Sequence, residues 1–168
     1  MPFSYYHRLT SKQRAIYRAS DEVSSIAVPQ AGPLSRSVGE IADALSAENR
    51  TDLNRACQQL CNDLLEQLEV PPLNVRVLSA RPSRDWGELQ GLYEPAEDAA
   101  EARITVWMRT AERRHVVAFK TFLRTLLHEL GHHIDYELLE LEDSFHTEGF
   151  FKRESSLFRQ LVSRENMP

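Results

Sequence analysis

Cysteine is scarce in this chain: 168 residues contain two, Cys57 and Cys61. Four apart in what reads as one helix, they are badly placed for a mutual disulfide and too few for a cysteine-built metal cage, so both are expected to be reduced core side chains. Long apolar runs are also missing. Nowhere do about eighteen hydrophobic residues follow one another, which excludes a helical membrane span. The opening stretch, MPFSYYHRLTSKQRAIYR, turns polar and basic within a few residues and lacks the apolar segment of an export signal, so a cytoplasmic location is expected. Nor is there an excess of positive charge. Twenty Lys and Arg against 25 Asp and Glu leave a formal net charge of -5, and nucleic acid is therefore not an expected partner. What remains is ordinary for a folded chain. Hydrophobic residues at 42% can close one core, and 27% charged residues of mixed sign do not form the single-sign blocks of disorder. One domain over 1–168 is expected, with a helical part over 1–70 and a core over 73–162.

Segment 11–20 has helical composition, and the stretch from Val23 to Ser37, with Pro29, Gly32 and Pro33, reads as a loop. Val38, Ile41, Ala42 and Leu45 recur at helical spacing. A longer amphipathic helix carries Leu53, Cys57, Leu60, Cys61, Leu64, Leu65 and Leu68 and stops at Pro71 and Pro72. The period then changes to two: Leu73, Val75 and Val77 alternate with Asn74, Arg76 and Leu78 in a β-branched run that reads as a strand. Further strands are expected at Leu89–Tyr93 and Ile104–Met108, the pair forming an antiparallel hairpin. From His115 to Leu141 an apolar stripe through Phe122, Leu126, Leu130 and Ile134 predicts one long helix, and a final helix is expected over 150–162.

Inside the long helix stands His128-Glu129-Leu130-Gly131-His132. Two histidines four apart project from one helix face a turn apart, so both imidazoles can reach one ion. Zinc takes nitrogen donors at about 2.0–2.1 Å, and three protein ligands leave a fourth position for water. Glu129, directly after the first histidine, is placed to accept a proton from that water instead of ligating the ion. Gly131 costs roughly 1 kcal/mol relative to alanine in a helix interior, which points to close packing or substrate approach where a side chain is missing. Asp135, three beyond His132, is either an acceptor orienting an imidazole or a solvated carboxylate. His133 points about 100° away from His132 and is expected at the surface. His7 and His115 have no informative context. Tyr93, Tyr136 and Arg153 are the candidates for stabilising an oxyanion.

The motif in this setting resembles the zincin metallopeptidases, in which a His-Glu-x-x-His helix lies under a small sheet whose edge strand receives extended substrate. The resemblance covers roughly residues 73–162, specific at the helix and generic in the strands. Within it, His146-Thr147-Glu148-Gly149-Phe150 looks like the His-x-x-x-Phe element of SprT-like small zincins, which implies His146 as third ligand. The rival is Glu154, by likeness to gluzincins, which take a glutamate from the following helix; Glu148 is a further alternative. If the motif helix runs on to Leu141 it climbs about 14 Å and an antiparallel return regains that height near Glu154, whereas His146 requires the helix to stop early or the loop to double back. Phe158 stands where the gluzincin pattern has an acidic residue, which speaks against Glu154.

The expected architecture is α+β and zincin-like: a small, mainly antiparallel sheet over the motif helix, with additional N-terminal helices over the cleft and a closing C-terminal helix. The expected function is a zinc-dependent peptidase acting on peptide or protein substrates, with His128, His132 and His146 as ligands and Glu129 as general base. Two alternatives stay open: a metal-binding regulatory or interaction domain without turnover, and a hydrolase of a non-peptide amide.

Overall fold

Helix α1 (Ser11–Asp21) begins at a reciprocal cap: Thr10 Oγ1 accepts the Gln13 N–H at 3.1 Å, and Gln13 Oε1 accepts the Thr10 N–H at 2.9 Å. α2 (Ser35–Ser46) begins inside the stretch expected to be a loop as far as Ser37, and α3 (Arg50–Gln67) is capped by Asn49, whose side chain accepts the Asp52 N–H at 3.0 Å. The structure, a computed structural model, describes residues 2–84, 87–88, 90–98 and 100–162. Its fold is α+β. β1 (Asn74–Ala80), β2 (Ser83–Arg84), β3 (Gly87–Glu88), β4 (Gly91–Glu94) and β5 (Arg103–Arg109) precede α4 (Phe119–Glu137) and α5 (Glu148–Leu161). The strand expected at Leu89–Tyr93 is β4, shifted by about two residues; Leu89 itself lies outside the described residues.

The expected mainly antiparallel sheet is instead mixed. Its order is β1-β5-β4, with β4 antiparallel to β5 as expected but β1 parallel to it. The reason lies in the connection. After β1 the chain passes through the small β2–β3 hairpin and returns as the outer strand β4, so β5, antiparallel to β4, is inserted beside β1 and runs in its direction. The β5 pattern, almost wholly buried, is that of a central strand.

The two edges of this sheet are treated differently. Along β1, side-chain amides of α3 take the place of a neighbouring strand: Asn54 Oδ1 accepts the Val77 N–H at 2.8 Å, Gln58 Oε1 accepts the Val75 N–H at 2.8 Å, and Gln58 Nε2 donates to the Leu73 carbonyl at 2.9 Å. An edge occupied in this way cannot template another chain. β4 is the opposite edge, and it lies against α4.

α4 is shorter than its apolar stripe predicts. Val116 and Val117 continue pairing with the end of β5, Val117 donating to the Met108 carbonyl at 2.8 Å, so the helix cannot begin until Phe119. At the other end Glu140 adopts a left-handed φ of 53°, and the Leu139 and Leu141 amides fold back onto the Ile134 and Asp135 carbonyls. The helix therefore ends at Glu137, and the chain reverses before Leu141. One apolar core, from Ile26 through Leu64, Val77, Ile104 and Leu126 to Leu161, joins residues of 1–70 with residues of 73–162, and it holds both Cys57 and Cys61 as free, buried thiols. Among the described residues no helix is long and apolar enough to cross a membrane.

Candidate metal centre

The early stop of α4 decides which side chain reaches the histidine pair. Residues 138–147 turn straight back, and His146 arrives over His128 and His132. Its Nε2 stands 3.1 Å from Nε2 of each. One ligand atom from each of the three rings falls within 4.8 Å of the others. Two nitrogens each about 2.05 Å from a tetrahedral ion lie about 3.3 Å apart, so the spacing fits a first-row divalent metal.

The opposite ring nitrogens are tied down. The Nδ1–H of His128 donates to Glu154 Oε1 at 2.8 Å. A carboxylate only accepts, so this bond fixes the proton on Nδ1 and leaves the Nε2 lone pair facing His146. His132 reaches the same state through a relay. Its Nδ1 lies 2.7 Å from Ser144 Oγ, whose hydroxyl donates to Asp135 Oδ2 at 2.7 Å. With its proton given to Asp135, Ser144 accepts from the imidazole. Asp135 is thus an orienting carboxylate, acting through a serine that sequence reasoning did not single out. Arg153 closes the chain by donating to Asp135 Oδ1 at 2.9 Å while binding the Ser20 carbonyl and hydroxyl. Burial raises the Asp135 carboxyl above its usual range, and the Arg153 guanidinium and the Ser144 hydroxyl pull it back. Arg153 is buried in this network and is withdrawn as an oxyanion donor.

His133, expected at the surface, is 1% exposed. Its Nε2–H donates to the Pro71 carbonyl at 2.7 Å, and its Nδ1 accepts the Tyr93 hydroxyl at 2.8 Å. The direction from the helix was as expected, but β4 and the segment entering β1 cover that face as well. Tyr93 thereby commits its proton to His133 while its ring stacks 6.2 Å from that of His132. Among the three oxyanion candidates, Tyr136 keeps the loosest partner, Asp143 Oδ1 at 3.5 Å, and it faces the site cavity.

Phe150 lies beneath the three imidazoles, its ring centroid 4.9, 4.8 and 5.2 Å from those of His128, His132 and His146. It explains Gly131: a Cβ there would meet Phe150 Cε2 and Cζ at 3.1 Å, so close packing, not substrate approach, needs the missing side chain. Glycine serves a second close approach at Gly91 on β4, where a Cβ would lie 2.9 Å from Glu129 Cγ and Oε1. β4 can run directly over the Glu129 carboxyl only because position 91 has no side chain.

Glu129 is buried. Burial pushes its carboxyl up to about 7, opposed by His128 and reinforced by Glu154. Burial also holds His132 down at about 3, with His146 and His128 adding to the effect, and it lowers His146 as well. Neutral imidazoles are the form that binds metal. Two cavities, about 560 and about 360 Å³, open on either side of this cluster and share Gly91, His128, Glu129 and His146. Residues 1–70, expected over the cleft, line neither of them. Another cavity, about 680 Å³ between α2 and α3, is lined by mixed charges such as Asp43 and Arg55 and by no imidazole or thiol. No protein-family model, no curated protein and no solved structure matches this chain.

Proposed function

We propose that the chain is a zinc metallopeptidase of the zincin type, holding the ion on His128, His132 and His146. The observation that carries the reading is the convergence of three Nε2 atoms beside a buried carboxyl that follows the first histidine. His128 and His132 each present a bare Nε2 because Glu154 and Ser144 hold their Nδ1 protons. Zinc bound there would acidify water and polarise a substrate carbonyl. Glu129, buried beside the three imidazoles and directly after the first of them, would take a proton from that water and return it to a leaving amine. An ion held only for structure has no use for such a group, which favours turnover over a purely regulatory domain.

An extended substrate fits the open edge of the sheet. β4 passes over Glu129, and its outer side can add a strand while the two cavities flanking the cluster receive side chains on either side of the cut bond. Tyr136 is the side chain placed to donate to the oxyanion. Peptide bonds are preferred over other amides because this edge offers main-chain pairing.

The test combines metal analysis with a mixed-peptide assay, with and without chelator. The purified chain is expected to carry close to one zinc and to cut peptides, and changing both His128 and His132 to Ala should remove the metal. Glu129→Gln should keep the zinc and lose turnover by orders of magnitude. Zinc retained in the double histidine variant would refute the ligand assignment, and undiminished turnover in Glu129→Gln would refute the role of the base.

A further inference from the structure

Two of the proposed ligands sit on a rigid helix, but His146 sits on a loop, and the elements that hold this loop come from the other end of the chain. The Thr147 amide folds back to the Phe145 carbonyl at 2.9 Å, so His146 occupies the tip of a three-residue turn. Its own carbonyl accepts the Tyr5 hydroxyl at 2.7 Å.

Around this bond residues 3–21 form an aromatic and polar clasp on residues 142–151. Tyr5 packs edge-on against Tyr17 at 5.6 Å, and Tyr17 lies tilted against Phe145 at 6.4 Å. Phe3 meets Phe151 edge-on at 6.2 Å, and its N–H donates to the Tyr17 hydroxyl at 2.9 Å. Behind them the Gly149 N–H donates to Asp21 Oδ1 at 2.8 Å, and the hydroxyls of Ser20 and Thr147 lie 2.9 Å apart. The approach is close enough that a Cβ on Gly149 would stand 2.5 Å from the Ser20 carbonyl oxygen.

We infer that the amino-terminal segment Phe3–Asp21 is a positioning clasp for the third metal ligand, with Tyr5 setting the height of His146 over the His128–His132 pair. This builds on the proposed metal centre. Without the clasp the turn would still form, but His146 would sample positions from which its Nε2 does not meet the other two, and binding would first have to order it. Tyr5 touches neither metal nor substrate; it acts through His146. Loss of a partner that orients a ligand typically weakens metal binding by about 10–100-fold, and because Tyr5 holds the backbone and not the ring, the lower end, about tenfold, is expected.

The experiment measures zinc affinity by competition with a chromophoric chelator in the full chain, for wild type, Tyr5→Phe, His146→Ala and the double variant. Tyr5→Phe removes one hydroxyl and leaves the ring packing on Tyr17, so the fold should survive; Phe3→Ala provides a second perturbation of the same clasp. The expected result is about tenfold weaker zinc binding on Tyr5→Phe in the wild-type background and no further loss in His146→Ala, where the residue it positions is gone. Where the wild type binds zinc, equal losses in both backgrounds, or no loss in either, would overturn the clasp. Amide exchange of the chelator-treated chain separates this inference from the metal reading. There Tyr5→Phe should speed exchange at Thr147 and leave the middle of α4 unchanged. If the wild type binds no zinc but this selective change appears, the metal reading fails and the clasp stands; unchanged exchange at Thr147 would overturn the clasp whatever the metal result.

Discussion

Replacing Glu129 by glutamine in the metal-free chain should raise stability, and by an amount that depends on pH in a defined way. A buried carboxyl held near 7, against a usual value of 4.5, keeps its proton in the folded state through a range where the unfolded chain has released it. Below about pH 4.5 both states are protonated and the group costs nothing. As pH rises through 7 the folded chain must ionise a carboxyl that burial disfavours, and the stability that the protonated group allowed is lost. The shift from 4.5 to about 7 corresponds to roughly 3 kcal/mol at 1.36 kcal/mol per pH unit. Glutamine has the same shape and no proton to lose. The stability difference between Glu129→Gln and wild type should therefore be small near pH 4.5 and grow to as much as about 3 kcal/mol by pH 8. Taking the difference cancels most of what the histidines contribute, since both chains carry them. The assay is urea unfolding in chelator at several pH values, followed by fluorescence. Repeating it with zinc should shrink the difference at pH 8, because a cation beside the carboxylate offsets the burial cost. A difference that stays flat from pH 5 to pH 8 would refute the account of Glu129 as a carboxyl displaced by burial.

Three further outcomes follow from the same geometry. Zinc affinity should persist below pH 6.5, where free histidine begins to protonate, because burial holds His132 near 3 and lowers His146; a titration of metal release against pH checks this, and release complete by pH 6 would contradict it. Ser144→Ala breaks the relay from His132 to Asp135 and leaves a buried carboxyl short of a donor, so zinc affinity should fall by about 10–100-fold, read by chelator competition. Gly131→Ala brings a methyl group to 3.1 Å from the Phe150 ring under the three imidazoles, and despite alanine's better helix propensity it should cost about 1–3 kcal/mol in thermal or urea unfolding.

The helices and the motif could be read from the chain because their causes are local. A 3.6-residue apolar stripe and the run of Val75 and Val77 specify α3 and β1 through neighbours a few residues away, and His128 and His132 share a face by helix geometry alone. The ends of α4 were not readable in this way. No glycine or proline marks its stop, which depends on Glu140 accepting a left-handed conformation, and its start is delayed by Val117 pairing with a strand. That stop, a matter of one turn of helix, is what carries His146 to the histidine pair and turns Glu154 to the far nitrogen of His128.

Everything else about the site was decided by parts of the chain that meet only after folding. Whether His133 is exposed depends on β4 and Pro71, whether Arg153 is free depends on Asp135 and Ser20, and the parallel pairing of β1 with β5 depends on where β4 returns. Sequence spacing fixes the direction in which a helical side chain leaves its own backbone. It carries no record of what lies in that direction, because the partners of Glu129, His133 and His146 are supplied by strands and loops tens of residues away, and burial, tautomer and proton affinity are properties of those partners.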